Sequence, residues 1–134
     1  MNVEFRNLER SDGASGGVIF DEAAALLEAI QVLRRDRVPF MAEVVGENGN
    51  KLTIGIAEDI GCVQHAASDG TPPYLMAVES TKNRPSEMSF LVGGTPTPVE
   101  PRYLISAHAV DSVVSEFCTT GARSRSVNWT ELGP

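Results

Sequence analysis

Phe40-Met41-Ala42-Glu43-Val44-Val45-Gly46-Glu47-Asn48-Gly49-Asn50-Lys51-Leu52-Thr53-Ile54-Gly55-Ile56 decides the fold. Phe40, Ala42 and Val44 alternate with Met41, Glu43 and Val45, which is the period of a strand with two distinct faces. Leu52, Ile54 and Ile56 repeat the pattern after Gly46 to Asn50. Asn48-Gly49 is among the strongest short-range hairpin signals, because both residues tolerate the positive φ of a tight turn. The stretch therefore reads as an antiparallel hairpin with one apolar face.

Downstream of this hairpin the strand pattern continues. Ile60 to Ala67 forms a third strand, closed by Asp69-Gly70 and Pro72-Pro73. Tyr74 to Glu79 gives a fourth, with Tyr74, Met76 and Val78 on one side. Ser80 to Pro85 is a polar loop, and Glu87 to Val92 a fifth strand with Met88, Phe90 and Val92 together. Gly93 to Pro101 reads as a Gly/Pro-rich connection. Ser106 then caps a helix carrying Val110, Val113, Val114 and Phe117 at i, i+3, i+4 and i+7, with Gly121 as its left-handed stop. Val127 to Trp129 makes a last short strand.

Upstream, Asp21 and Glu22 open a helix whose Ala23, Leu26, Leu27, Ile30 and Leu33 share one stripe, and Arg34 and Arg35 close it against the helix dipole. Val3 to Leu8 reads as a leading strand, joined to the body by the small-residue stretch Ser11 to Gly17, so residues 1–17 form a flexible leader. Two helices among consecutive strands with short loops predict an α+β fold. Its sheet is mostly antiparallel, with five to seven strands and both helices packed on it. Leu52, Ile54, Ile56, Met88 and Phe90 are expected to face the core, and Leu26, Leu27, Ile30, Val110, Val114 and Phe117 to seat the helices. The 134 residues suit a single domain that buries a sizeable core.

Lys and Arg total 11 against 18 Asp and Glu, a formal charge of -7. That balance disfavours nucleic acid and anionic lipid and favours a cationic partner. The first dozen residues are polar, and the longest apolar stretch is too short to span a bilayer, so the expected location is the cytoplasm. Cys62 and Cys118 read as reduced core thiols.

Chemistry-bearing motifs are sparse. His65 and His108 have no second ligand at metal spacing, and Cys62 and His65, three apart on a strand, point to opposite faces. No metal or cofactor is expected. Gly93-Gly94 lacks the lysine and the helix N-terminus of a phosphate loop. A small enzyme would require Cys118, His65, Glu58 and Asp59 to converge in one pocket. No catalytic residue is assigned.

Phe90-Leu91-Val92-Gly93-Gly94, a proline-containing loop, a helix from Ser106 to Glu116-Phe117-Cys118-Thr119-Thr120-Gly121, then Arg123 and Val127-Asn128-Trp129 form a recognisable set. With the earlier Leu52-Thr53-Ile54-Gly55-Ile56 and the following Val63, it resembles the immunity protein 1 family of bacterial polymorphic-toxin systems over residues 18 to 131. Members often carry a proline shortly after the arginine, where this chain has Ser124. The resemblance implies a non-catalytic protein that binds a cognate toxin, often a nucleic-acid deaminase. A regulatory or scaffold module with another protein partner is the alternative. On the toxin-binding reading, the expected contacts are Glu43, Glu47, Glu58, Asp59, Asp69 and Glu79, which fall at strand ends or on the non-core alternation. An acidic surface of this kind would mimic a phosphate backbone in a basic cleft.

Overall fold

The computed structural model describes residues 1–9, 17–36, 38–79 and 88–132. Ser11 to Gly16 of the leader, the Ser80 to Pro85 loop and Glu87 lie outside the described residues. In chain order the elements are β1 (Val3–Asn7), β2 (Val18–Phe20), α1 (Ala23–Asp36), β3 (Phe40–Gly46), β4 (Asn50–Ile56), β5 (Ile60–Ala67) and β6 (Leu75–Val78). There follow β7 (Met88–Val92), β8 (Thr95–Val99), a single 3-10 turn (Pro101–Tyr103), β9 (Ile105–Ser106), α2 (Ala107–Thr120) and β10 (Asn128–Glu131).

The α+β expectation holds. The decisive hairpin is present, with Phe40, Ala42 and Val44 opposite Ile56, Ile54 and Leu52. These six side chains are sealed from water and form the floor of the main core. The main sheet runs β10-β6-β5-β4-β3-β1-β2. Among the described residues every pairing is antiparallel except the short contact of β3 with β7 at Phe40 and Leu91.

Both helices cover the face that carries Leu52 and Ile54. Leu26 and Ile30 of α1, and Val110, Val113, Val114 and Phe117 of α2, are fully buried against it, while Leu27 is only partly buried. The α2 caps are those read from the sequence. Ser106 Oγ accepts from the Ala109 amide at 3.0 Å, and Gly121 sits at φ 74° with its N–H on Phe117 O. Arg34 does more than close α1, because its guanidinium reaches α2 and forks onto Asp111, with Nη1 to Oδ2 at 3.0 Å and Nη2 to Oδ1 at 2.7 Å.

Among the described residues the sheet has ten strands, exceeding the expected five to seven. Three short pieces make the difference. β2 pairs only with β1, and the two residues of β9 complete the end of β5 next to the 57–59 turn. β8 occupies what reads as a Gly/Pro connection. Gly93 and Gly94, at φ 57° and 78°, make a tight turn that folds it back on β7. Pro96 and Pro98 are compatible with this because they lie on one side of an edge strand, leaving the amides of Thr95, Thr97 and Val99 for the ladder.

The β7–β8 hairpin curls over the second face of the sheet. Phe90 is fully buried there with Met41, Cys62, Met76, Tyr103 and Leu104, whereas Met88 is only partly buried and Val92 is exposed. Gly55 permits this close approach, since a β-carbon at that position would lie 2.7 Å from Cys62 Sγ and 2.8 Å from the Phe90 ring. Among the described residues no helix is long and apolar enough to cross a membrane.

Candidate functional site

The six acidic candidates fall in three places. Glu58 and Asp59 occupy the turn between β4 and β5, exposed and with no ion pair among the described residues. Glu79 ends β6 at the same end of the strands, half-buried, with its carboxylate accepting the Ser106 amide beneath the start of α2. Glu47 and Asp69 lie at the opposite end, across the length of the β4 and β5 strands. Glu47 accepts the Asn2 amide at 2.8 Å. Asp69 accepts both the hydroxyl and the amide of Thr71, at 2.7 and 3.0 Å, which holds its carboxyl below the usual range. Glu43 stands on the second face of the sheet, half-buried and paired with Lys51 at 2.8 Å.

Glu58 and Asp59 form one small acidic corner, and Glu79 adds its carboxylate beneath. Glu47 and Asp69 sit at the other end of strands some seven residues long, roughly 20 Å away at the usual rise. Alternation identifies a face, but it does not say how far along that face a residue falls.

The thiols and imidazoles do not gather with them. Cys62 is buried on the second face, where burial pushes its thiol up to about 12. His65, three residues on, points to the helix face as expected. Cys118 is buried on α2, with its thiol raised to about 11 by the same cause. His65 lies six residues along β5 from Asp59, so the acidic turn and the imidazole are at different ends of one strand. His108 is exposed in the first turn of α2. No group of three or more His, Cys, Asp or Glu suited to a metal ion occurs among the described residues.

A second feature was not legible in the sequence. Beyond Gly121 the chain forms an open cleft of about 750 Å³, lined by His65, Arg123, Arg125, Asn128 and Trp129 among others. His65 is held edge-on between two rings, with its centroid 6.2 Å from Phe117 and 6.1 Å from Trp129. Burial lowers its pKa first, and the neighbouring Arg123 charge lowers it further. Trp129 Nε1 donates to Ser124 O at 2.9 Å, Asn48 Nδ2 to Gly121 O at 2.8 Å, and the Arg125 amide to Glu116 Oε2 at 3.2 Å. Those bonds pin the loop, bury Ser124, and leave Arg123 and Arg125 exposed on either side of it. The only sequence hint was the alternation of Arg123, Ser124 and Arg125 in front of an aromatic strand.

The described residues thus include an acidic corner, further separate carboxylates and a cleft with two exposed arginines beside aromatic rings. The Immunity protein Imm1 family pattern matches residues 15–131, most of the chain. The protein belongs to the Imm1 family of immunity proteins. Among curated proteins no relative matches it.

Proposed function

We propose that this immunity protein binds one copy of a cognate toxin domain, a nucleic-acid deaminase with a basic cleft, and blocks substrate entry. The family match over residues 15–131 carries the reading. The charge of -7 supports the choice of a basic partner. Opposite charge accelerates encounter and selects the partner, while a few buried anchors set the lifetime of the complex. Glu58 and Asp59, exposed and without an ion pair among the described residues, lead the steering. Glu47 and Asp69 add to it from the far end, and Glu43 and Glu79 complete the set. The protein acts in the cytoplasm as a single domain, without catalysis, cofactor, nucleic acid or membrane.

The test uses the toxin domain encoded by the adjacent gene. The association rate should fall as salt rises, because screening shortens to ~8 Å at physiological ionic strength, while dissociation changes far less. Replacing Glu58 and Asp59 with Lys should slow binding and leave the fold intact. Equal association at low and high salt, with no effect of the double reversal, would exclude acidic mimicry. Failure to protect cells that express the toxin would exclude the immunity reading as a whole.

A further inference from the structure

The cleft beyond α2 runs against the charge of the rest of the chain. In a protein of net charge -7, Arg123 and Arg125 stand two residues apart on one exposed loop, and neither has an ion-pair partner among the described residues. Glu116 accepts the Arg125 backbone amide at 3.2 Å, and no ion pair joins it to either guanidinium among the described residues. The loop is fixed by hydrogen bonds at Gly121, Ser124 and Arg125, so the two side chains project from an ordered base. Beside them the half-buried Trp129 ring and His65 give the cleft an aromatic wall.

Ordering a loop before a partner arrives removes part of the entropic cost of binding. Arginine and tryptophan are also the side chains that most often dominate binding energy at interfaces, the guanidinium because its planar fork matches a carboxylate in two-point contact. From this geometry we infer that the cleft is an anchoring site for a carboxylate-bearing loop of the partner toxin, held by Arg123 and Arg125 with its flanking apolar side chain on Trp129. The inference rests on the immunity reading and gives it a second, short-range contact. The acidic corner draws the partner in, and the arginines hold it.

A nucleic acid is a poor occupant. Its affinity comes from many phosphate contacts, and two arginines in a field of seven excess negative charges offer too few. A single protein carboxylate needs only the two-point fork.

The experiment measures binding kinetics of the full chain with the adjacent-gene toxin domain, made catalytically inactive, at physiological salt. Arg123→Glu with Arg125→Glu should weaken affinity roughly 100-fold, mostly through faster dissociation, as expected when a buried charge pair loses a partner. Its melting temperature should stay that of the wild type, since both side chains are exposed. Arg123→Ala with Arg125→Ala should show a smaller loss in the same direction. Among Asp and Glu to Lys substitutions in the toxin, at least one should restore binding to the doubly reversed protein. If the reversed protein binds as tightly as wild type, the cleft is not an anchor, while the immunity reading stands. Absence of any restoring substitution would rule out a carboxylate occupant. If wild-type protein fails to bind the toxin at all, the immunity reading falls and the anchor falls with it. Arginine-dependent binding of a fluorescein-labelled single-stranded oligonucleotide would overturn the choice of a protein occupant.

Discussion

Removing Asp111 should cost far more than removing the arginine it holds. Arg34 is 5% exposed, and its guanidinium makes two charge-assisted bonds to Asp111, one to Gln31 Oε1 at 3.0 Å and one long contact to Ala107 O at 3.4 Å. Its Nε has no partner among the described residues. Asp111→Ala strips the counter-charge and leaves a cation between two helices. Breaking a buried pair in this way costs about 3–5 kcal/mol. The Asp111 side chain is 30% exposed, so water reaches the gap and the expected loss falls to about 2–3 kcal/mol. Arg34→Met removes the charge and the unsatisfied Nε together, fills similar space, and lets Asp111 turn to solvent, for a loss of about 0–1 kcal/mol. Urea denaturation followed by the emission of Trp129, the single tryptophan, measures both. Equal losses for the two variants, or a larger one for Arg34→Met, would show that the pair contributes net stability and would refute the desolvation argument.

Phe117→Ala should destabilise by about 3–5 kcal/mol in the same assay, as for other fully buried rings, and a loss below about 1 kcal/mol would contradict its place in the core. His65 releases its proton more readily in the folded protein than at its ordinary value of 6.5, so its contribution is complete above that pH and is lost as pH falls through the lowered value. Melting temperature should accordingly drop between pH 7.5 and 5, with a shallower slope for His65→Gln; identical slopes would remove the imidazole as a cause. With thiols raised to about 12 and 11, Cys62 and Cys118 should resist iodoacetamide at pH 8 in the native state and react in urea, as read by mass spectrometry.

What the sequence made legible follows from where each residue's partners lie. Phe40 to Ile56 and the Val110 to Phe117 stripe declare themselves because local period alone determines which face is buried. β8 resisted the same reading, since Pro96 and Pro98 count against a strand until its position at an edge is known. β2 and β9 are too short to carry a period and exist through their neighbours. Asp111 is distant in sequence from Arg34, so only the packing of α1 on α2 reveals that the arginine has a task beyond the helix dipole. Alternation and turn position place Glu58 beside Asp59 but cannot place Glu47 relative to either. Arg123 and Arg125 lie in an irregular loop between α2 and β10 whose course is set by hydrogen bonds at Gly121, Ser124 and Arg125 rather than by any period.

The alternate prolines of β8 also govern what the sheet refuses. An open sheet edge is a template, and a chain extended beside it can add a strand and seed further addition. Along the outer side of β8 two of the amides such a chain would need are missing, at Pro96 and Pro98. Growth at that border stops for want of donors, whatever the side chains of the newcomer. Among the described residues β2 carries no such device, with Val18 and Ile19 mostly exposed over only three residues. Self-association on concentration should therefore begin at the β2 or β10 border of the sheet and leave the proline border bare.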